Sequence, residues 1–186
     1  MTGAQPGPVA GMLLAAGAGA RYGLPKALVD GWLAGSVETL IDGGCAPVLV
    51  VLGAAAPEAR RLVPEGIDVV IARDWTEGMG ASLRAGLAAV EASGAEAALV
   101  HLVDLPDVGP DVVRRLAGLA TRDVLARAVY DGRAGHPVLL GRAHWGPVAA
   151  QASGDEGARS YLRHHEVDGI ECGDLAGGQD IDVPGP

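Results

Sequence analysis

The chain has 186 residues, 49% of them hydrophobic, and a formal net charge of −9 from 14 basic and 23 acidic residues. The length predicts one domain over residues 1–186, and the apolar fraction excludes an intrinsically disordered chain. The acidic balance excludes nucleic acid and anionic membrane surfaces as partners. The two cysteines, Cys45 and Cys172, lie far apart and predict neither a disulfide framework nor a cysteine zinc site.

The sequence also predicts where the protein resides. The longest apolar runs, such as Val48–Leu52 and Ala97–Val100, are too short to cross a bilayer. The polar start, Met-Thr-Gly-Ala-Gln-Pro, lacks the charged region and the apolar core of a signal peptide. We therefore expect a soluble, cytoplasmic protein.

Strand-like apolar runs alternate with stretches of helical period along the first two thirds of the chain. The predicted strands are Pro8–Ala16, Val48–Leu52, Asp68–Ala72 and Ala95–Val103. The predicted helices are Trp32–Asp42, Ala55–Leu62, Ala81–Ala92 and Pro110–Ala120. This alternation predicts an α/β fold with a mostly parallel, doubly wound sheet and right-handed crossovers. Ligands of such sheets bind at the carboxyl ends of the strands, where the strand order reverses.

The pattern changes in the last third of the chain. Two apolar runs, Val124–Tyr130 and Pro137–Leu140, flank the glycine-rich segment Asp131–Gly135, which predicts a hairpin-like insertion. The remaining predicted elements are helices at Arg142–Ala152 and Glu156–His164 and a short strand at Gly169–Cys172.

A glycine-rich loop follows the first predicted strand: Leu13-Leu-Ala-Ala-Gly17-Ala-Gly19-Ala-Arg21-Tyr-Gly23-Leu-Pro-Lys26. Glycines let backbone amides approach phosphate oxygens closely, and the loop carries a cation at Arg21 and the only lysine of the chain, Lys26. This combination favours a cradle for a nucleoside triphosphate, in which the two cations neutralise the β- and γ-phosphates.

Three other interpretations of this loop compete with the cradle. A dinucleotide site needs G-x-G-x-x-G, and the spacing of the loop glycines is looser, although Glu38 lies near the expected acidic position. A Walker P-loop needs Ser or Thr after its lysine, and here Lys26 precedes Ala27. The purely structural interpretation is a tight strand-to-helix turn.

The loop resembles the L-A-A-G-x-G-x-R-x-G-x-x-K signature of the MobA-like nucleotidyltransferases, and specifically of the molybdenum cofactor cytidylyltransferases. Five further segments, in the same order along the chain, are similar to motifs of that family. They are Gly78–Gly86, Leu102–Pro106, Gly135–Val138, Gly154–Arg159 and Asp180–Pro184. Tyr22 and Val183 depart from the family pattern, which has Met and Thr there.

The resemblance implies a Rossmann-like three-layer α/β/α sandwich of the nucleotide-diphospho-sugar transferase type. It implies a nucleotide-binding half over residues 1–123 and an acceptor-binding half over residues 124–186. The implied reaction is Mg²⁺-dependent transfer of CMP from CTP onto the terminal phosphate of molybdopterin, with release of pyrophosphate. A molybdoenzyme or its chaperone would receive the product.

The implied nucleotide is CTP because the chain has Ala15-Ala16-Gly17 where guanylyl-transferring relatives have Ala-Gly-Gly. Other functions stay open at this point. They are guanylyl transfer, transfer to a sugar phosphate, and non-catalytic carriage of a nucleotide or cofactor.

The resemblance also implies roles for individual residues. The catalytic residues would be Arg21, Lys26 and Asp104. The nucleotide would be bound by Leu14, Ala15, Ala16, Gly17, Gly19, Arg21, Gly23, Lys26, Gly80, Ser82 and Arg84. The acceptor would be bound by His136, Asp155 and Arg159. Asp104 and Asp182 would hold Mg²⁺, with Asp180 as the rival of Asp182.

Structural alternatives accompany several of these assignments. Asp104 alternatively caps the following turn, and Ser82 caps or starts a helix. Asp155 and Arg159 alternatively form a helical i,i+4 ion pair. His101, inside a buried strand, is expected to be a core histidine with its hydrogen bonds satisfied, and Trp75 is expected to pack beside the site.

Overall fold

The computed structural model describes residues 6–183, and within them seven strands form one sheet. The strands are β1 Val9–Ala15, β2 Val48–Leu52, β3 Asp68–Ile71, β4 Ala97–Leu102, β5 Leu125–Tyr130, β6 Arg133–Gly141 and β7 Asp168–Glu171. The helices are α1 Trp32–Asp42, α2 Ala56–Ala59, α3 Met79–Val90, α4 Pro110–Ala117, α5 Arg142–Gln151 and α6 Arg159–Leu162.

The strand order across the sheet is β3-β2-β1-β4-β6-β5-β7. Strands β1 to β4 pair in parallel, and β7 pairs in parallel with β5, whereas β6 runs antiparallel to both of its neighbours. The predicted mostly parallel sheet is therefore confirmed, with its antiparallel strand coming from the predicted hairpin.

Helices cover both faces of the sheet because successive side chains of the buried strands point to opposite faces. In β1, Leu13 packs in the core cluster that contains Leu33 of α1 and Val113 of α4. Its neighbour Met12 packs in the other cluster, with Leu83 of α3 and others from α5 and α6. The two clusters make the fold a three-layer sandwich, as predicted.

The order of the strands reverses between β1 and β4. From β1 the chain proceeds to β2 and β3 on one side, and then returns to β4 on the other side of β1. The loops that leave the carboxyl ends of β1 and β4 therefore diverge and leave a crevice between them. The glycine-rich loop follows β1, and Asp104 follows β4.

Three predicted elements differ from the structure. The helix predicted over Ala55–Leu62 is the short α2, followed by a 3-10 turn over Arg60–Leu62. The β5–β6 turn consists only of Asp131 and Gly132, both with positive φ (50° and 78°), so Tyr130 already pairs with Arg133. The helix predicted over residues 156–164 is instead a 3-10 turn at Gly154–Glu156 followed by the short α6. Gly157, with φ of 55°, separates them.

Three smaller predictions concern the rest of the chain. Cys45 and Cys172 are free and buried, as the absence of a disulfide framework requires. Among the described helices, none has the length and apolar character that a membrane span needs. Pro184, the end of the last family motif, lies outside the described residues, and the division into halves at residue 123 stays a prediction.

Candidate functional site

A cavity of about 670 Å³ opens at the carboxyl ends of β1 and β4. This volume lies within the range of small-molecule sites. All six family-like segments contribute residues to its wall. These residues come from the glycine-rich loop, Gly78–Ser82, Leu102–Leu105, Gly135–His136, Asp155–Arg159 and, in the last segment, Asp180 and Asp182. Segments far apart in sequence thus converge on one cavity at the reversal point of the sheet.

The glycine-rich loop has a shape that depends on two of its glycines. Gly19 has φ of 62°, and a side chain there would clash with the carbonyl of Leu24. Gly23 has φ of 96°, and its amide donates to the carbonyl oxygen of Gly19 at 2.8 Å. Gly17 has no atom within 4 Å of its would-be Cβ, which leaves its backbone open to a ligand.

The predicted nucleotide ligands of this loop mostly line the cavity. The lining residues among them are Leu14, Ala15, Ala16, Gly17, Gly19, Arg21 and Lys26. Gly23 does not line it and serves the turn instead. Tyr22 also faces the cavity, and its ring lies 5.5 Å from that of Trp32.

Lys26 bridges the two carboxylates that were predicted to hold a metal. Its Nζ lies 2.7 Å from Oδ2 of Asp104 and 2.9 Å from Oδ1 of Asp182. Arg21 adds a second cation, with Nη1 2.6 Å from Oδ2 of Asp182. Burial lowers the pKa of Lys26, but its hydrogen bonds to both carboxylates outweigh that effect and hold the pKa above 10.5. The hydrogen bond from Lys26 likewise lowers the pKa of Asp182.

The carboxylates form a group that suits a divalent cation. Asp104, Asp180 and Asp182 each offer one ligand atom, and these atoms lie within 4.8 Å of one another. Oδ1 of Asp104 is buried and has no hydrogen-bond partner among residues 6–183, so this oxygen is free to bind a ligand. Carboxylate oxygens are the ligands that Mg²⁺ and Mn²⁺ prefer. The residues therefore fit a hard divalent ion, and Asp180 belongs to the group together with Asp182.

The tail of the chain delivers two of these carboxylates. After β7 it runs back across the end of the sheet, and the amides of Gly177 and Gly178 donate to Oδ2 of Asp107 at 2.9 and 3.0 Å. The amide of Ile181 donates to the carbonyl oxygen of Asp104 at 3.1 Å. These contacts place the residues on either side of Ile181 beside Asp104.

The segment at the start of α3 lines the cavity through Gly78, Met79 and Ser82, and not through Gly80. Gly78, with φ of 108°, and Gly80 pack against the backbone of residues 153–154, where an added Cβ would lie 2.5 to 2.6 Å from the nearest atom. Gly80 does not line the cavity, so its predicted contact with the nucleotide is replaced by this packing. Ser82 lies in the first turn of α3, buried and facing the cavity, and Gly78 occupies the N-cap position.

Arg84 lies away from the cavity, contrary to its predicted position near a phosphate. Its Nη1 donates to the carbonyl oxygen of Ala152 at 2.7 Å, and its Nη2 lies 2.8 Å from Oε2 of Glu77. Nη1 therefore fastens α3 to the end of α5, and Nη2 binds the turn that precedes α3. Trp75 does border the cavity, as expected.

The three predicted acceptor residues, His136, Asp155 and Arg159, all line the cavity. The alternative i,i+4 ion pair between Asp155 and Arg159 does not occur in the described part of the chain, because Gly157 interrupts the helix. Burial, with the positive charge of Arg127 adding to it, lowers the pKa of His136 to about 3. This imidazole is therefore uncharged at neutral pH.

Two polar residues on strands of the sheet, the buried His101 and the half-buried Arg127, differ from what the sequence predicted. His101 is buried, as expected, but neither ring nitrogen has a hydrogen-bond partner within residues 6–183. The expectation that its hydrogen bonds are satisfied is therefore wrong. Burial lowers its pKa to about 4, which keeps the ring neutral. Arg127 lines the cavity and was missed, although it is the one charged residue of an otherwise apolar strand, Leu125–Tyr130.

Comparison with known proteins assigns the chain to a family. Residues 11–169 match the MobA-like NTP transferase domain. The chain is 38% identical over 190 residues to the nicotine blue oxidoreductase of Paenarthrobacter nicotinovorans, with 94% of this chain and 92% of that protein covered.

Solved structures show the same fold. Rv0371c of Mycobacterium tuberculosis H37Rv is 30% identical, with a TM-score of 0.77 over 98% of this chain and 95% of that one. Its complex with manganese is 28% identical, with a TM-score of 0.73 over 89% and 88% of the two chains. A nucleotidyl transferase from Methanothermobacter thermautotroptrophicus, 22% identical, has a TM-score of 0.75 over 91% and 88%. The chain therefore belongs to the MobA-like nucleotidyltransferases, a family of enzymes.

Proposed function

We propose that the protein transfers CMP from CTP to the terminal phosphate of molybdopterin and releases pyrophosphate. One observation carries this proposal. A glycine-rich loop with Arg21 and Lys26 shares a single cavity with the carboxylates of Asp104, Asp180 and Asp182. Phosphate-binding amides and cations beside metal-binding carboxylates are the parts that phosphoryl transfer needs.

The reaction asks for positioning and charge neutralisation rather than for a general base. A phosphate monoester is largely ionised at neutral pH, with a second pKa of about 6. Its oxygen forms the new bond to the α-phosphorus of CTP, and the bond to the bridging oxygen of the leaving pyrophosphate breaks. Arg21, Lys26 and the loop amides would stabilise the charge that develops on this leaving group.

A divalent cation, which we propose to be Mg²⁺, would be held by Asp104 with Asp180 and Asp182. When bound, it would neutralise phosphate oxygens that an acidic protein otherwise repels. The complex of Rv0371c with manganese supports a divalent ion in this family. Lys26 and Arg21 would then contact phosphate oxygens instead of the carboxylates that they contact now.

The choice of CTP rests on Ala16. This residue is 4% exposed and lines the cavity at the end of β1, where its methyl group takes up space that a glycine would leave open. A pyrimidine needs less room than a purine, which favours CTP over GTP. Delivery of the product to a molybdoenzyme or its chaperone belongs to the same proposal.

A second candidate function follows from the 38% identity with nicotine blue oxidoreductase. If the chain were an oxidoreductase, the glycine-rich loop would be the place for a dinucleotide. The dinucleotide interpretation of the loop, however, relied on Glu38 to hold a ribose. Glu38 is exposed on α1 and does not line the cavity, so the geometry favours the triphosphate.

Thermal denaturation with each ligand distinguishes these functions, because a ligand that binds the folded protein raises its melting temperature. CTP, GTP, ATP, UTP, NADH and NADPH are compared with and without Mg²⁺, at about 100 times the tightest dissociation constant. We expect CTP with Mg²⁺ to give the largest rise, roughly 5–10 °C. Asp104→Asn should lose the part of that rise that depends on Mg²⁺. A larger rise with NADH or NADPH than with any nucleoside triphosphate would favour the oxidoreductase.

A further inference from the structure

A charged side chain lies in a strand that is otherwise apolar. The neighbours of Arg127 in β5 are Leu125, Ala126, Ala128, Val129 and Tyr130. Arg127 is half-buried, and the hydrogen bond recorded for its side chain runs from Nη2 to the carbonyl oxygen of Gly135 at 3.1 Å. Its Nε is buried without a partner among residues 6–183. Such a donor costs free energy in the folded protein unless a further group satisfies it.

A second arginine faces the same place. Arg159, in α6, lines the main cavity together with Arg127, and both also line an adjoining cavity of about 490 Å³. Burial and the charge of Arg159 lower the pKa of Arg127. The charge of the exposed Arg159 therefore acts against that of the half-buried Arg127.

Neither arginine has a carboxylate within ion-pair distance in the part of the chain that the structure describes, although the protein carries a net charge of −9. Six other arginines do have one: Arg21, Arg84, Arg114, Arg115, Arg142 and Arg163. The other described arginines without one are exposed and line neither cavity: Arg60, Arg61, Arg73, Arg122 and Arg133. Arg127 and Arg159 are therefore the unpaired arginines of the cavity wall, on its acceptor-side segments.

His136 completes this wall. It lies in β6, next to Gly135, whose carbonyl oxygen accepts the bond from Arg127. The hydroxyl of Tyr130 donates to the carbonyl oxygen of His136 at 2.7 Å, which fixes the backbone of this residue. The neutral imidazole offers one N–H donor to a ligand without adding a third charge.

We propose that Arg127 and Arg159 form an anion subsite that binds the phosphate monoester of the acceptor substrate. The fork of a guanidinium matches two phosphate oxygens, and a dianion would neutralise both arginines at once. The subsite lies on β5 and α6, and the glycine-rich loop lies after β1, so the cavity would receive its two phosphate-bearing substrates from different walls. The identity of the anion as the acceptor's phosphate rests on the proposed function.

Binding of labelled inorganic phosphate tests the subsite without nucleotide or metal. Equilibrium dialysis is carried out on the Arg21→Gln protein, in which the glycine-rich loop has lost a cation. Adding Arg127→Gln or Arg159→Gln should weaken phosphate binding at least about 10-fold, since a charge-assisted hydrogen bond contributes this much. Adding Arg122→Gln, an exposed arginine before β5, should change it less than about twofold. Equal binding by the Arg127→Gln and Arg122→Gln proteins, or no binding by the parent, would overturn the subsite.

Thermal stability separates a ligand role from a structural one. Arg127→Gln removes a desolvated charge, so its melting temperature should equal or exceed that of the wild type. A structural arginine would instead leave a clearly less stable protein. Arg159 is exposed, so Arg159→Gln should fold whatever happens at position 127. A destabilised Arg127→Gln protein together with normal phosphate binding by Arg159→Gln would overturn the proposal.

The kinetic test distinguishes failure of the subsite from failure of the proposed function. Arg127→Gln and Arg159→Gln should raise the KM for the acceptor at least about 10-fold and change the KM for CTP less than about twofold. An unchanged acceptor KM in an active enzyme would contradict the inference alone. Arginine-dependent phosphate binding by a protein that transfers no CMP would uphold the subsite and contradict the proposed function.

Discussion

At the scale of single residues, Lys26 has two roles, of which the sequence predicted only one. As the only lysine, on a glycine-rich loop, it was predicted to neutralise phosphates. The structure shows its ammonium group bound between Asp104 and Asp182, with the side chain 14% exposed. Without Lys26 these carboxylates would repel each other, so the residue also organises the acidic group.

Lys26→Ala and Arg21→Ala should therefore differ in stability although both should lose activity. Lys26→Ala should lower the free energy of unfolding by about 1.5–3 kcal/mol, because it removes two charge-assisted hydrogen bonds. Arg21 is 78% exposed, so its ion pair contributes about 0.5 kcal/mol or less. Turnover should fall on the order of 10²-fold in each variant. Urea unfolding and pyrophosphate release measure these quantities, and near-normal release by Lys26→Ala would refute the triphosphate cradle.

The choice of nucleotide depends on a single methyl group at Ala16. Ala16→Gly should narrow the preference for CTP over GTP, because steric selection of this kind is worth about 1–3 kcal/mol. Ala92→Gly removes a methyl group from an exposed residue that does not line the cavity, and it should leave the preference unchanged. The measurement is the ratio of kcat/KM for the two nucleotides. The same ratio in Ala16→Gly and wild type would show that this methyl group does not select the base.

At the scale of elements, apolar periodicity predicted the strands and helices that build the sheet. β2 and α1 have the predicted bounds, because an apolar run or a helical period ends there at a glycine. Periodicity does not report on backbone dihedral angles, so it missed the break at Gly157 and the two-residue turn at Asp131 and Gly132.

The tail after β7 shows how one side chain positions an element. Asp107 accepts the amides of Gly177 and Gly178, and the tail then brings Asp180 and Asp182 to Asp104. Asp107→Ala should free this segment and lower activity about 10-fold, since two bonds to a charged acceptor are lost. Asp107→Asn keeps one side-chain oxygen as an acceptor, so it should lower activity less than Asp107→Ala does.

Limited proteolysis after residue 172 and the Mg²⁺ concentration at half-maximal activity report on the tail. Both should change in Asp107→Ala. Asp111→Ala provides the matched control, because Asp111 pairs with Arg114 on α4 and makes no recorded contact with the tail. Equal proteolysis of the Asp107→Ala and Asp111→Ala proteins would contradict the positioning role.

At the scale of the whole molecule, the buried His101 and the partly buried His136 make stability depend on pH. Burial lowers the pKa of His101 to about 4 and that of His136 to about 3, whereas unfolded histidine titrates near 6.5. Between pH 6.5 and 4 the unfolded chain therefore binds more protons than the folded one, and the free energy of unfolding falls as the pH is lowered.

The slope should reach about 1.4 kcal/mol per pH unit for each such histidine. In the His101→Leu protein this slope should be smaller by the contribution of one histidine. Urea unfolding at several pH values between 7.5 and 4.5 measures it. An unchanged slope in His101→Leu would mean that His101 is protonated in the folded protein as readily as in the unfolded chain.

The candidate site was predictable as far as it depends on local motifs. The glycine-rich loop could be named from its own residues, whereas Asp104 and the acceptor residues were named from the family motifs that contain them. All of these segments do meet in one cavity. The sequence could not exclude Arg84 and Gly80 from the nucleotide site. Only the three-dimensional structure shows that both contact residues 152–154 instead. Arg127 was missed since a lone charge in a strand has no motif around it.

The central claim, transfer of CMP at this cavity, is tested most directly by following the label of α-labelled CTP in the presence of molybdopterin and Mg²⁺. An equimolar amount of unlabelled GTP is present as competitor, and Asp104→Asn serves as the matched control that keeps the shape and removes the charge. We predict a cytidylylated acceptor and one pyrophosphate per transfer from the wild type, and no product from Asp104→Asn. CTP should be preferred roughly 10- to 200-fold. No labelled acceptor from the wild type, or the same yield from Asp104→Asn, would contradict the account.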